Sequence, residues 1–259
     1  MYGQNSEQYY LDNLKPEYNI CKIAGNCLGV KRSAETIEKI ASSNRKVWED
    51  KNLRTPNSKY GRDTKKKNNV LIITGHQYFD VVARGELTQK YIDKATKFFL
   101  DNGFEVKHTN IENGYKTEEE CEKFEWADAV LFQYPVYWMG VPWITKKYFD
   151  ETFTQGRHYT SDGRSRSDES KTYGSGGLLK GKKYMLSITY NCPKSEFNNP
   201  NGFFDGLSLD EANVATHKTF QFVGLEPLKT YSVHDIFKGD LDLNKELVKF
   251  EETLRENFL

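Results

Sequence analysis

"NNVLIITG", residues 68–75, is an unbroken apolar run with β-branched side chains that ends on Gly75. A strand with one wet face alternates apolar and polar residues, whereas a strand covered on both faces has no need to. The run therefore reads as a buried strand of a parallel sheet. C-terminal to it, "GELTQKYIDKATKFFLDNG" (85–103) sets Leu87, Tyr91, Ala95, Phe98 and Phe99 at helical spacing and stops at Asn102-Gly103, a helix terminator. "FEVKHTNI" (104–111) reads as a second strand, "TEEECEKFEWAD" (117–128) as a short helix with acidic residues in its first turn, and "AVLFQY" (129–134) as a third strand. Acidic residues there suit the helix dipole. "VPWITKKYFDETFTQG" (141–156) has Pro142 near a helix start and Gly156 beyond its end. A long polar loop follows. Next come a strand "KKYMLSITYN" (182–191), a helix around "DEANVATHKTFQFVG" (210–224), a strand "LKTYSV" (228–233) and an amphipathic helix "LNKELVKFEETLRENF" (243–258).

Alternating strands and helices, with crossovers long enough to hold the helices, imply a parallel sheet wrapped on both faces. Five strands imply an α/β doubly wound sheet of the flavodoxin-like order 2-1-3-4-5. Ligands of such sheets bind beyond the carboxyl ends of the strands, where the order reverses between strands one and three.

The residues at those strand ends define the candidate chemistry. "GHQYFDVVARGEL" (75–87) leads from strand one into its helix. Backbone N–H groups and a helix start converging there can hold an anion, with Arg84 or His76 adding charge to a phosphate. The loop is neither a GxGxxG nor a Walker A sequence, and an ordinary βα turn is the other reading. After strand three, "FQYPVYWMGVPW" (132–143) brings five aromatics, two prolines and a glycine into twelve residues. Pro135 to Trp138 present aromatic faces and backbone amides where the sheet opens. Tyr137 and Trp138 either pack into the core or stack on an isoalloxazine or another planar ring, worth roughly 1 kcal/mol per pair. "TYNCP" (189–193) adds polar backbone after strand four, or is a turn set by Asn191 and Pro193. The loop from Gln155 to Gly181 is long enough to be functional. Tyr173, beside the glycines of "TYGSGG", either covers a ligand or belongs to a solvated insertion.

Over 259 residues the charge balances, 37 basic against 37 acidic, which excludes a protein built wholly for polyanions. Residues 1–67 nevertheless hold 14 Lys and Arg against 8 Asp and Glu, leaving 23 against 29 in the remainder. Two segments of different character are expected, 1–67 and 68–259. Cys21, Cys27, Cys121 and Cys192 form no CxxC pair and no ligand spacing with the histidines, so reduced thiols and no zinc are expected. No apolar run approaches the roughly 18 residues needed to cross a bilayer, and "MYGQNSEQYY" has no secretory segment. A cytoplasmic protein without membrane association is the expectation.

The strings "WADAVLFQYPVYWMGVPWITKKYFDETFTQG", "SDGRSRSDESKTYGSGGLLKGKKYMLSITYNCP" and "THKTFQFVGLEPL" resemble the modulator of drug activity B family of NAD(P)H:quinone reductases, flavodoxin-like flavoenzymes. The resemblance covers about Asn68 to the C-terminus. It implies FAD, NADPH as hydride donor, a homodimer with the flavin near the subunit interface, and two-electron reduction of quinones by hydride transfer through the flavin in ping-pong fashion. Carried over by motif, FAD contacts fall on Arg84, Gly85, Glu86, Leu87 and Thr88, on Val136, Tyr137, Trp138 and Met139, on Tyr173, and on Thr189, Tyr190, Asn191 and Cys192. His76 and Pro135 complete the expected cofactor-binding set. The first loop departs from the family pattern, lacking its Ser and Asn before the glycine. Tyr173 and Tyr190 are the candidates to donate a proton or hydrogen bond to the quinone, and no single acid, base or nucleophile is required. Backbone N–H groups of residues 189–192 are expected to meet negative charge at flavin N1/O2.

"EQYYLDNLKPEYNI" (7–20) and "LGVKRSAETIEKIASSNR" (28–45) resemble the C-terminal end of a GIY-YIG homing endonuclease catalytic domain followed by a nuclease-associated modular repeat. In that family the residue matching Glu7 binds the metal and the one matching Asn19 supports the site. The GIY, YIG and arginine elements are absent upstream of Glu7, so no nuclease activity and no metal are expected. Ser33 is an N-cap for a short helix, the remainder being partly helical or disordered. Lys31, Arg32, Arg45 and Lys46 are candidate phosphate contacts, nucleic acid being expected only here if at all. "NSKYGRDTKKKNN" (57–69) reads as a linker. Beside the reductase reading stand two others: an FMN-binding flavodoxin-like electron carrier, and a DNA-associated protein acting through residues 1–67.

Overall fold

A computed structural model describes residues 69–238 and 240–259. The expectations placed on residues 1–67, including Glu7, Asn19, Ser33 and the basic side chains Lys31, Arg32, Arg45 and Lys46, lie outside the described residues.

Strand β1 is Asn69–Thr74. Its side chains alternate between faces, as the pleat requires. Leu71 and Ile73 join Phe132, Tyr148 and Phe220 on one face, while Val70 and Ile72 join Tyr91, Phe99 and Phe250 on the other. Both faces are apolar cores, which is why the run has no polar alternation. After β1 come α1 (Glu86–Asp101), β2 (Glu105–Asn110), α2 (Thr117–Trp126), β3 (Ala129–Pro135), α3 (Trp143–Phe153) and β4 (Lys183–Thr189). The chain continues through α4 (Leu209–Ala212), α5 (Val214–Phe222), β5 (Glu226–Pro227), β6 (Tyr231–Val233) and α6 (Leu243–Phe258). All neighbouring strands are parallel, in the order β2-β1-β3-β4-β5 with β6 also paired to β4. This is the flavodoxin-like α/β fold with order 2-1-3-4-5. Helices α1 and α6 cover one face; α2, α3 and α5 cover the other.

Two elements differ from expectation. The single fifth strand over 228–233 is two short strands, in different register against β4. Tyr184 pairs with Pro227, but Ser187 pairs with Tyr231, so the fifth strand carries one extra residue. That is a bulge, and its cause lies in α6: the Asn257 amide accepts from the Lys229 N–H at 3.2 Å and donates to the Lys229 carbonyl at 2.9 Å. Lys229 therefore leaves the ladder with its backbone satisfied. The helix around 210–224 is likewise two helices, α4 and α5, broken at Asn213, whose φ of −109° and ψ of 20° leave the helical region.

Two charged side chains hold α2. Lys182, on the approach to β4, donates to the carbonyls of Phe124, Glu125 and Ala127 at 3.1, 2.5 and 2.6 Å, placing positive charge at the helix C-terminus. Glu120, buried in the first turn, accepts from Thr109, Tyr148 and Lys123 at 2.6, 2.8 and 2.6 Å. The loop 154–182 folds back on α5: Leu179 donates to the Val223 carbonyl at 2.9 Å and Leu178 to the His158 carbonyl at 2.8 Å.

Burial lowers the pKa of His76, His108, His158 and His234 from the ordinary 6.5. Below that value the unfolded chain binds more protons than the folded one, so by linkage stability falls with falling pH. The midpoint of thermal unfolding is expected to be lower at pH 5.5 than at pH 7.5, and an unchanged or higher midpoint at pH 5.5 contradicts this.

Candidate functional site

A cavity of about 570 Å³ opens at the carboxyl ends of β1, β3 and β4. Its first wall is the loop after β1. Gly75 lies against the Phe132 ring and Thr145, where a β-carbon would come within 2.9 and 2.8 Å, and its N–H donates to the Gln133 carbonyl at 2.8 Å. His76 turns inward, 8% exposed, beneath Gly85. A β-carbon on Gly85 would meet the imidazole at 3.2 Å, and the φ of +84° is itself in the left-handed region that favours glycine. Gly85 is the N-cap of α1 and offers no side chain to its first N–H groups, which leaves those donors available to an anion.

Residues 77–84 form a tight turn in which Phe79 and Ala83 exchange two backbone hydrogen bonds of 2.9 Å. Glu112 anchors it from beyond β2, accepting from the Tyr78 N–H at 2.5 Å and the Gln77 amide at 3.1 Å. Arg84 is exposed and bends back on the same turn, its Nε donating to the Asp80 carbonyl at 2.6 Å.

The second wall follows β3. The Tyr137 hydroxyl donates to the Gln77 carbonyl at 2.9 Å and lies 3.4 Å from His76 Nε2, joining the two walls. Burial, followed by the Glu112 carboxylate, pushes this phenol up to about 12, so it stays protonated. Tyr137 and Gly140 exchange backbone bonds of 2.9 and 3.2 Å around Trp138 and Met139, whose φ values are +49° and +66°. A bulky residue in the left-handed region costs about 1–2 kcal/mol. Trp138 is 96% exposed, so its own packing does not offset that cost. Trp138→Gly is expected to raise the unfolding free energy by about 1 kcal/mol; a loss in denaturant titrations would refute the strain.

The third wall combines Thr189, the last residue of β4, and Asn191 with Ile236 and Phe237, after β6. His76, Arg84, Gly85, Glu86, Leu87, Thr88, Pro135, Val136, Tyr137, Thr189 and Asn191 thus meet at one cavity, together with Val81, Val82 and Ala83. Ile236 and Phe237 were not among the candidates, although they too follow a strand end. The structure places the other candidates elsewhere. Trp138 and Met139 project at the turn's tip. Tyr190 is buried, its hydroxyl accepting from the Asn213 amide at 3.0 Å and its ring stacked on His234. Its hydroxyl, a candidate donor to substrate, is thus engaged with Asn213 in the core. Cys192 is half-buried with its thiol 3.5 Å from the Pro193 carbonyl, and burial raises its pKa. Tyr173 is 70% exposed, its ring against Phe222 and under the Arg164 guanidinium, along a separate groove between α3 and α5.

The walls fit a flat ring joined to a phosphate. Val81, Val82, Ile236 and Phe237 are apolar surfaces, the strand-three turn adds backbone amides, and the start of α1 adds N–H donors beside Gly85. A doubly wound parallel sheet with its cavity at the order reversal defines a flavodoxin-like protein. Residues 68–258 match the family described as flavodoxin-like fold, and the chain belongs to it. It is similar to the NADPH:quinone oxidoreductase MdaB of Haemophilus influenzae, 42% identical over 173 residues that cover 66% of this chain and 90% of the relative. Among solved structures, the NAD(P)H:quinone oxidoreductase of Methanothermobacter marburgensis superposes with a TM-score of 0.54 at 14% identity, covering 73% of this chain and 96% of that one. The general stress protein 14 of Treponema denticola, in complex with FMN, superposes with a TM-score of 0.54 at 15% identity, covering 73% and 98%. Among the described residues no helix is long and apolar enough to cross a membrane.

Proposed function

We propose that residues 68–259 form a flavin-dependent NAD(P)H:quinone oxidoreductase that takes FAD, reduces quinones by two electrons and works as a cytoplasmic homodimer, with residues 1–67 a separate segment. The observation that carries this is the cavity at the order reversal, in a chain 42% identical to an NADPH:quinone oxidoreductase. Bound there, the flavin supplies hydride acceptance and donation. The chain supplies the rest. N–H groups at the start of α1 bind the phosphate, Pro135–Tyr137 set the plane of the ring, and the 189–191 backbone offers donors where negative charge develops. Val81, Val82, Ile236 and Phe237 exclude water from the ring.

Nicotinamide and quinone would use one cavity in turn, which gives ping-pong kinetics with parallel double-reciprocal lines. Tyr173 fits the homodimer reading. It stands away from the cavity of its own chain, on an exposed surface that a second copy would cover.

The test is direct. Protein reconstituted with FAD is mixed with NADPH and menadione, and flavin released from purified protein is sized as FAD or FMN. Menadione-dependent NADPH oxidation is expected, and its absence overturns the proposal. FMN without that activity favours the electron-carrier reading; the Treponema general stress protein 14, of similar fold, is in complex with FMN.

A further inference from the structure

We infer that His234 is a positioning residue for this site, fixing through its imidazole the Cys192 peptide carbonyl and with it the turn 189–192 that forms the cavity's third wall. The inference rests on the reading of that cavity as a flavin site. His234 Nδ1 lies 3.0 Å from the Cys192 carbonyl oxygen. A carbonyl only accepts, so Nδ1 carries the proton. Nε2 is 2.9 Å from the Ser232 hydroxyl, which then donates to it. Both ring nitrogens are thereby assigned, and the tautomer is set by its partners. The ring plane is set as well, by Tyr190 stacked at 5.7 Å and 5° and by the edge of Phe197 at 5.6 Å. Burial lowers the His234 pKa below the ordinary histidine value, in keeping with the neutral form.

This contact is one of four that fasten the two segments together. Tyr190 donates to the Val233 carbonyl at 2.9 Å, Ile236 to the Tyr190 carbonyl at 3.4 Å, and Phe237 to the Asn191 side-chain oxygen at 3.1 Å. Asp235, in their midst, is held at a φ of +54°, a conformation that persists only where its surroundings over-determine it. Thr189, Asn191, Ile236 and Phe237 face the cavity, whereas His234 opens on a groove with Ser232 and Lys194. The imidazole thus acts on the site only through the peptide it holds. Among the four contacts it alone fixes the 192 carbonyl, and so the Cys192–Pro193 peptide at the exit of the turn.

Two variants of the full-length protein separate positioning from packing. His234→Phe keeps an aromatic ring between Tyr190 and Phe197 and removes both hydrogen bonds. His234→Asn places an amide N–H near the position of Nδ1 and removes the ring. Three readings are taken: hydrogen exchange of the 189–193 peptide in flavin-free protein, FAD affinity by fluorescence quenching, and the two-electron midpoint potential of the bound flavin. His234→Phe is expected to accelerate exchange at 189–193, weaken FAD by about tenfold and shift the potential negative, because the turn that carries the 189–192 donors loses the hold on its exit. His234→Asn is expected to restore most of the affinity and the potential. Wild-type values in His234→Phe overturn the inference. So does equal loss in both variants, which would assign His234 to ring packing. If wild-type protein binds no FAD, the flavin reading fails, and the exchange data alone decide whether His234 fixes the turn.

Discussion

Asn213→Ala is expected to lower the free energy of unfolding by about 3 kcal/mol, from two phenol hydroxyls left without their partner in the core. Asn213 is buried at the break between α4 and α5, and its side-chain oxygen accepts from Tyr134 at 3.0 Å. Its amide donates to the Tyr190 hydroxyl at 3.0 Å and to the Leu209 carbonyl at 2.8 Å. Tyr134 is the penultimate residue of β3 and Tyr190 follows β4, so one amide ties the helix break to two strand ends beside the cavity. The loss should shrink when Tyr134→Phe and Tyr190→Phe are added, since removing every partner of a buried polar group costs far less than removing one. Equilibrium denaturation of the single and triple variants checks both statements. A triple variant no more stable than Asn213→Ala would refute the hydrogen-bond origin of the effect.

Gly177→Ala is expected to cost about 3 kcal/mol, for a different reason. A β-carbon there would overlap the backbone of Val223 and Gly224. Backbone cannot rotate aside as a side chain can, so either α5 or the loop must move. Gly181→Ala is the contrast: Gly181, unlike Gly177, is in the left-handed region, with φ +80°, but nothing lies within 4 Å of its β-carbon. Strain alone remains there, at about 1 kcal/mol. Comparable losses in the two variants, measured by denaturant titration, would show that the close approach at Gly177 is relieved. The loop pinned at Gly177 carries Tyr173, so this variant should also mislocate that ring.

The elements most legible in the sequence are those whose cause is local. β1 and β3 are apolar on both faces, and α1 and α6 repeat their buried residues at helical spacing, so their ranges follow from a window of neighbours. The bulge at Lys229 depends on the amide of Asn257 at the far end of α6, and the break at Asn213 on hydroxyls from two strands. Neither cause lies within reach of a local pattern. For the site, the strand-end rule brings together the loops after β1, β3 and β4, and applied to the fifth strand it would also have found Ile236 and Phe237. Tyr190 carried a readable signal too. Tyr184, Leu186, Ile188 and Tyr190 recur at every second residue and share one core face, while Thr189 and Asn191, on the alternate positions, line the cavity. Trp138-Met139 is the opposite case: a turn with two positive φ values is usually announced by Asn-Gly, and the sequence there shows only bulky side chains.

The extra residue at Lys229 divides the fifth strand into two halves of opposite phase. Pro227 lies on the sheet face of Tyr184, the α5 side, and the inserted residue turns everything after it by half a step, so that Tyr231 and Val233 enter the core beneath α6. Deleting one residue between 228 and 230 would close the bulge and leave Tyr231 opposite Ser187, whereas losing the bulge at constant chain length would exchange Tyr231 and Val233 for Ser232 and His234 on the buried side and unseat the 234–237 corner. The Asn257 amide, by holding the extra residue out of the ladder, therefore sets from the far end of α6 which side chains form one wall of the cavity.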